Sequence, residues 1–225
     1  MEQLMQSVKI GINEKIYLKD PESSELGRRI LLNGISMIHE VGFEAFTFKK
    51  LGEQIGSNES SIYRYFESKH KFLLYLVSWY WGWMEYQLVF ATNSIPDPEE
   101  KLRMAISIVT KLKEQNATGG SINHTKLTKI MINEFSKSYL TKEVDAENEE
   151  GYFVIYKRLV NRLAKMIEAV DADYPYPLSL SSNVVEGGLH QHFLMDHFPS
   201  LTNCKKSFTP TSFYTDLVFR TLNRN

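Results

Sequence analysis

Apolar residues recurring at helical spacing between prolines constrain this chain more than any other feature. From Glu25 to Val41 the residues Ile30, Leu31, Met37, Ile38 and Val41 fall at offsets 0, 1, 7, 8 and 11, one stripe of a helix, and Gly42 follows where a left-handed C-terminal cap is expected. Phe48, Leu51 and Ile55 predict a short second helix ending at Gly56, with Thr47 as N-cap and, since Lys50 stands three residues on, no capping box. Asn58 is suited to cap a third helix over Glu59 to Phe66, with Ile62 and Phe66 facing inward, and Ser68 a fourth that runs through an aromatic segment toward Ala91. Past Pro98 helical stretches are predicted at 99–115, 122–140, 147–171, 179–197 and 210–222, and Pro21, Pro96, Pro98, Pro175, Pro177, Pro199 and Pro210 mark the joints. No segment sustains alternation. One short extended piece within Ser7 to Leu18 is compatible with Val8, Ile10 and Ile12 alternating with Lys9, Gly11 and Asn13, but it has nothing obvious to pair with. The reading is an all-α fold without internal repeats.

Composition removes several function classes. A chain of 225 residues buries a core without disulfide or metal staples, and Cys204, the single cysteine, excludes an intrachain disulfide and a zinc site built from several thiolates. Glu2, Lys9, Glu14 and Lys15 interrupt the amino terminus, so no secretory signal is expected. The longest strongly apolar run, Phe72 to Met84, is shorter than the roughly 18 to 20 residues that span a membrane. A cytoplasmic protein with no membrane partner is the expectation. With 26 basic and 27 acidic residues the net charge is −1, so affinity for nucleic acid has to come from a local patch.

No catalytic constellation surfaces. Gly119, Gly120 and Ser121 lack the lysine and spacing of a phosphate loop, and Cys204 has Lys205 and Lys206 beside it but no histidine close in sequence. Glu186, His190, His192, Asp196 and His197 share one predicted helix, yet His190 and His192 lie about 200° apart around it and cannot face one ion. No enzyme activity, cofactor or metal site is expected.

The informative constellation is a helix ending at Gly56, a tight turn through Ser57 and Asn58, and a short helix carrying Ser60, Ser61, Tyr63, Arg64 and Tyr65: a helix-turn-helix pattern. Such a unit needs short hydrogen-bonding side chains near the amino end of its second helix and cationic or phenolic ones along the flank. Ile30-Leu31, the run Glu40 to Thr47, Leu51 to Gly56, and Ser61-Ile62-Tyr63-Arg64-Tyr65-Phe66-Glu67-Ser68-Lys69 resemble the TetR family of transcriptional regulators over residues 25–76. The resemblance implies an amino-terminal DNA-binding domain, a larger helical ligand-binding domain, and a homodimer that binds double-stranded DNA at a near-palindromic operator and releases it when a small molecule binds. It divides the chain into an arm (1–23), a DNA-binding domain (24–70) and a ligand-binding and dimerisation domain (71–225). It places Thr47, Lys49 and Lys69 near phosphates, Ser60, Ser61 and Arg64 toward base edges, and Tyr63 and Tyr65 on the backbone flank.

Three departures stand out. Gly34 and Gly52 occupy positions where the family usually has alanine, which implies a loss of about 0.8 to 1 kcal/mol per site and a domain floppy without DNA. Glu59 opens the third helix, where its carboxylate suits the helix dipole but repels phosphate, or else accepts from a cytosine amino group. Over residues 42–76 five basic against four acidic residues leave a single net positive charge. The arm, with Lys9, Lys15 and Lys19, reads either as a minor-groove arm or as a frayed terminus or dimer strap, the latter preferred.

In the regulatory half, Trp79, Trp83, Tyr86 and Phe90 fall at offsets 0, 4, 7 and 11 on one helix face, which reads either as core or as the wall of a pocket for an apolar or aromatic effector. Gly82 within that helix allows a close neighbour or marks a kink. The resemblance points to 179–197 and 210–222 as the dimer helices, with Gly187 and Gly188 allowing tight crossing and Val184, Val185, Leu189, Phe193, Leu217 and Val218 supplying apolar contact. The same residues would equally pack an intrachain core. The rival function is a small-molecule or lipid-binding module of this fold without operator recognition.

Overall fold

The computed structural model describes residues 10–112 and 122–222, and the helices within them match the pattern of the sequence closely. They are α1 (Glu25–Ala45), α2 (Phe48–Ile55), α3 (Glu59–Tyr63), α4 (Lys69–Thr92), α5 (Pro98–Thr110), α6 (His124–Glu134), α7 (Val144–Glu149), α8 (Val154–Val170), α9 (Pro177–His197) and α10 (Pro210–Leu222), with short 3₁₀ turns at Glu14–Ile16, Pro21–Ser23, Phe135–Ser138 and Pro199–Leu201. Pro98, Pro177 and Pro210 each open a helix, where the missing N–H costs nothing and φ is already set. Among the described residues no strand forms; the only pairing of that kind is the isolated bridge Lys205 to Phe208. The protein is all-α.

Two compact units emerge. The first combines residues 1–80 with 113–154, the second 81–112 with 155–225, so the first half of α4 belongs to one and the second half to the other. In the first unit the core is aromatic. Phe72 stacks on Phe46 (5.5 Å between centroids) and meets Phe66 edge-on (5.1 Å) and Phe48 (6.3 Å), while Ile30, Leu31, Ile35, Leu51 and Ile62 are fully buried around them. The second unit packs α5, α9 and α10 together: a Cβ on Gly187 would stand 1.9 Å from the Tyr214 hydroxyl, and one on Gly188 3.1 Å from the Thr110 methyl. These glycines therefore seat intrachain neighbours, and Val184, Val185, Leu189 and Val218 are buried within the chain.

The structure corrects four expectations. Residues 10–23 are neither a frayed end nor a free arm: Ile12 and Ile16 are buried, Leu18 N–H donates to the Tyr65 carbonyl (2.8 Å), the Lys15 ammonium pairs with Glu150, and the Lys19 ammonium lies over the Tyr65 ring. Of the possible extended piece, residues 10–13 form neither strand nor helix and a 3₁₀ turn capped by Asn13 follows at Glu14–Ile16, while Ser7 to Lys9 lie outside the described residues. The stretch 147–171 is broken at Gly151, where φ is +82°, into α7 and α8. The third helix stops at Tyr63, because the Tyr65 and Phe66 N–H groups both turn back to the Ile62 carbonyl.

Gly34 and Gly52 bear on a further expectation, the cost of glycine within helices. A Cβ on Gly34 would lie 2.5 Å from Phe72 Cζ, and one on Gly52 2.8 Å from the Ser57 carbonyl oxygen in the helix-turn-helix turn. These glycines make room for close contacts within the domain, which stand against their cost in helix propensity. In an open helix, glycine to alanine gains about 1 kcal/mol. Here Gly52→Ala is expected to lose about 1 to 3 kcal/mol, since backbone has to move. Denaturant unfolding checks the sign, with Gly11→Ala, which meets nothing within 4 Å, as the neutral control.

Candidate nucleic-acid interface

Helix α2 begins at Thr47, whose Oγ1 accepts from Lys50 N–H (3.2 Å), and ends at Gly56 in the left-handed conformation (φ 62°, ψ 40°). Ser57 N–H then donates to the Gly52 carbonyl (2.9 Å), which fixes the turn. Asn58 opens α3 as the centre of a small network: its Oδ1 accepts from Ser61 N–H (2.9 Å), Ser60 Oγ (2.9 Å) and Ser61 Oγ (2.5 Å). Both serine hydroxyls keep lone pairs to offer, and the cap aims them from the amino end of α3. A brace that the sequence did not reveal comes from Arg29, whose guanidinium donates to the Ile55 carbonyl at the end of α2. Its partner is twenty-six residues away, and no local pattern marks it.

Around this frame Thr47, Lys49, Ser60 and Arg64 are exposed, Ser61 is half-buried, and Tyr63 is 45% exposed with its ring edge against Phe48 (5.1 Å). Tyr65 departs from its expected place on the flank. It is only 3% exposed and its hydroxyl sits 2.7 Å from Ser24 Oγ, so it joins α3 to the start of α1 instead of facing outward. Lys69 is half-buried: its ammonium donates to the Phe43 and Glu44 carbonyls (3.2 Å each) and lies 4.8 Å from the Phe43 ring centroid. Glu59 is half-buried in the first turn of α3.

The four aromatic residues of α4 sit in different surroundings. Trp79, in the first unit, is buried with its indole N–H on Glu22 (3.1 Å) and its ring 5.2 Å from His124, whose pKa burial holds below the usual histidine range. Trp83, in the second unit, is buried, while Tyr86 is half-buried and stacks on the 51% exposed Phe90 (6.2 Å). A cavity of about 670 Å³ in the second unit is lined by residues such as Gln191, Leu201, Cys204, Lys205, Phe208 and Phe213. His192 is buried with Nε2 2.8 Å from the Thr110 carbonyl oxygen, and His190 is exposed beside Phe193. Phe193 and Leu217 remain half-exposed on α9 and α10.

Residues 30–76 match the model of the family described as bacterial regulatory proteins, tetR family. No curated protein sequence matches the chain. Solved structures of the same fold include the fatty acid degradation regulator FadR from Bacillus halodurans (18% identity, 88% of this chain and 98% of that one, TM-score 0.57). AibR, solved with isovaleryl coenzyme A and operator DNA, is 16% identical over 88% of this chain and 100% of its own, with a TM-score of 0.55. The superantigen PfiT is 18% identical over 92% of this chain and 100% of its own, with a TM-score of 0.58.

If Asn58 organises the front of α3, Asn58→Ala costs about 1 kcal/mol of stability, the usual worth of such a cap, and Asn58→Asp restores most of it. Urea unfolding reads this as a lower midpoint at constant slope. An unchanged midpoint would remove the cap from the account.

Proposed function

We propose that this chain, whose residues 30–76 match the model of the tetR family of bacterial regulatory proteins, is a homodimeric, ligand-responsive transcriptional repressor acting on a near-palindromic operator. The observation that carries the reading is the α2-turn-α3 surface, where Thr47, Lys49, Ser60, Tyr63 and Arg64 stand exposed on a frame fixed by Gly56 and Asn58. In this role residues 24–70 bind DNA and 71–225 hold the effector and the dimer contact. Ser60, Ser61 and Arg64 face base edges; Thr47, Lys49 and Tyr63 face phosphates, with Lys69 in reserve through the proton its carbonyl contacts leave unused. Tyr65 drops out of the set because it is buried.

Dimerisation is assigned to the outward faces of α9 and α10, where Phe193 and Leu217 are half-exposed and Leu178 and Phe213 exposed. Two recognition helices would then stand roughly 34 to 36 Å apart in successive major grooves. The effector is proposed to be a small apolar or aromatic molecule; an acyl compound is in keeping with AibR and FadR, which share the fold. A cytoplasmic location fits this role, and among the described residues no helix is long and apolar enough to cross a membrane.

A second reading, a ligand-binding module without operator recognition, is favoured by Glu59 and by the single net positive charge over residues 42–76. PfiT, titled a superantigen, has the same fold, so the fold alone does not carry DNA binding.

Selection of the full-length protein against random duplex DNA separates the two. An enriched inverted repeat supports the regulator, and Arg64→Ala is then expected to weaken binding to it by about 1 to 3 kcal/mol. Negligible, salt-insensitive duplex binding by folded, ligand-free dimer supports the module.

A further inference from the structure

In the second unit α4 carries a carboxylate, Glu85, whose side chain is only 8% exposed and which receives two guanidinium groups from α8. Arg158 Nε donates to Oε1 (2.7 Å) and Oε2 (2.8 Å) and its Nη2 to Oε2 (2.6 Å), while Arg162 Nε donates to Oε1 (2.6 Å). Burial alone would raise the Glu85 carboxyl; the hydrogen bonds and charges of the two arginines outweigh it and hold its pKa below the usual carboxylate range. The pair Glu85 and Arg158 already satisfies both oxygens. Arg162 is therefore surplus: it shares an oxygen that is already bonded and brings a second positive charge beside the first.

That surplus is fixed in place and open to solvent. Both Nε atoms reach one oxygen, so the two guanidinium groups lie close together, and their side chains are 51% and 45% exposed. Among the described residues, Nη1 of Arg158 and both Nη groups of Arg162 have no acceptor. Lys165 is exposed about 20° around α8 from Arg158, and Glu168 is an exposed acid roughly 80° away from it. Two adjacent guanidinium forks held by a buried carboxylate make a preorganised receptor for a group with several anionic oxygens, and arginine forks match phosphate bidentately.

We infer that Arg158 and Arg162, positioned by Glu85, form a binding site for the phosphate groups of a small molecule. One positive charge survives within the triad and Lys165 flanks it, so a multiply charged phosphate is the better fit than a single carboxylate. The site deepens the effector reading by giving the effector a charged head, and rests on that reading for its regulatory meaning only.

Titration calorimetry of the full chain, without DNA, tests it with inorganic pyrophosphate, coenzyme A and decanoate as probes. Arg162→Gln is the informative variant, because it leaves Glu85 paired with Arg158 and the fold intact. Expected is binding of pyrophosphate or coenzyme A by the wild type, weakened at least tenfold in Arg162→Gln and partly kept in Arg162→Lys, at an unchanged melting temperature. Tighter binding of coenzyme A than of pyrophosphate assigns a nucleotide-bearing ligand, and equal affinities a bare phosphate group. Binding of neither phosphate probe, binding of decanoate alone, or equal affinities for wild type and Arg162→Gln overturns the site. Duplex binding by ligand-free Arg162→Gln stays at the wild-type level under the proposal, so a chain that binds phosphate but no operator would fail only as a regulator.

Discussion

The Phe72 ring holds the amino-terminal unit together. It is fully buried, and it touches a ring from each neighbouring piece of chain: Phe46 in the turn after α1, Phe48 in α2 and Phe66 after α3. Burying one such ring is worth about 1.5 to 3 kcal/mol, and favourable aromatic pairs add about 0.5 to 1.5 kcal/mol each, more than the propensity lost by placing glycine in α1. Gly34 is the condition for this arrangement, since Phe72 Cζ occupies the space a Cβ would need. Gly52 plays the same part for the turn. The position of α3, and with it the outward direction of Arg64, follows from these two close approaches.

A second set of constraints is polar. Gly42, at φ +78° and ψ 160°, kinks α1 before its last three residues in a conformation that glycine alone adopts readily, and the Phe43 N–H this frees is taken by the Glu134 carboxylate of α6 (3.0 Å). Lys137 bridges Glu134 (2.8 Å) and Glu44 (3.0 Å); its pKa is raised, first by the hydrogen bond to Glu134, and that of Glu44 is lowered by Lys137. Residues 10–23 close the same unit elsewhere. Pro21 packs so tightly on Gly27 that a Cβ there would lie 2.1 Å from the proline oxygen, and Asn13 donates to the Glu150 carbonyl (2.8 Å).

What the sequence made legible is what local rules decide. The caps Thr47, Asn58 and Ser68, the left-handed Gly56 and the prolines opening α5, α9 and α10 each depend on neighbours within a few residues. The misses all depend on distant partners. Tyr65 looks like a flank residue until Ser24 meets its hydroxyl, the arm looks loose until Glu150 and Tyr65 receive it, and the break at Gly151 sits beside the Asn13 side chain, 3.3 Å from where its Cβ would be. The aromatic stripe of α4 was a correct periodicity carrying an ambiguous meaning, since the same offsets serve a core and a pocket wall. Burial of Trp79 and Trp83 beside exposure of Phe90 divides the stripe in a way no spacing encodes.

Placement of charge, more than its amount, determines what the proposed DNA surface can do. Of the five basic residues between 42 and 76, two are half-buried and engaged: Lys69 donates to the Phe43 and Glu44 carbonyls, and Lys71 to that of Lys15 (3.2 Å) and to the Tyr152 hydroxyl; Lys50 stays exposed while donating to the Ala45 carbonyl (2.9 Å). Lys49, Lys50 and Arg64 are the exposed cations of this stretch. Since each neutralised phosphate contributes a salt slope of about 0.9, so few cations yield weak non-specific affinity and a shallow salt dependence. In the proposed role, useful affinity would then call for two copies and a readout concentrated in Arg64 and the capped serines. A surface this sparse would favour operator discrimination over general attraction to DNA, and the close packing of Phe72 on Gly34 and of the turn on Gly52 would serve that role as well as the fold.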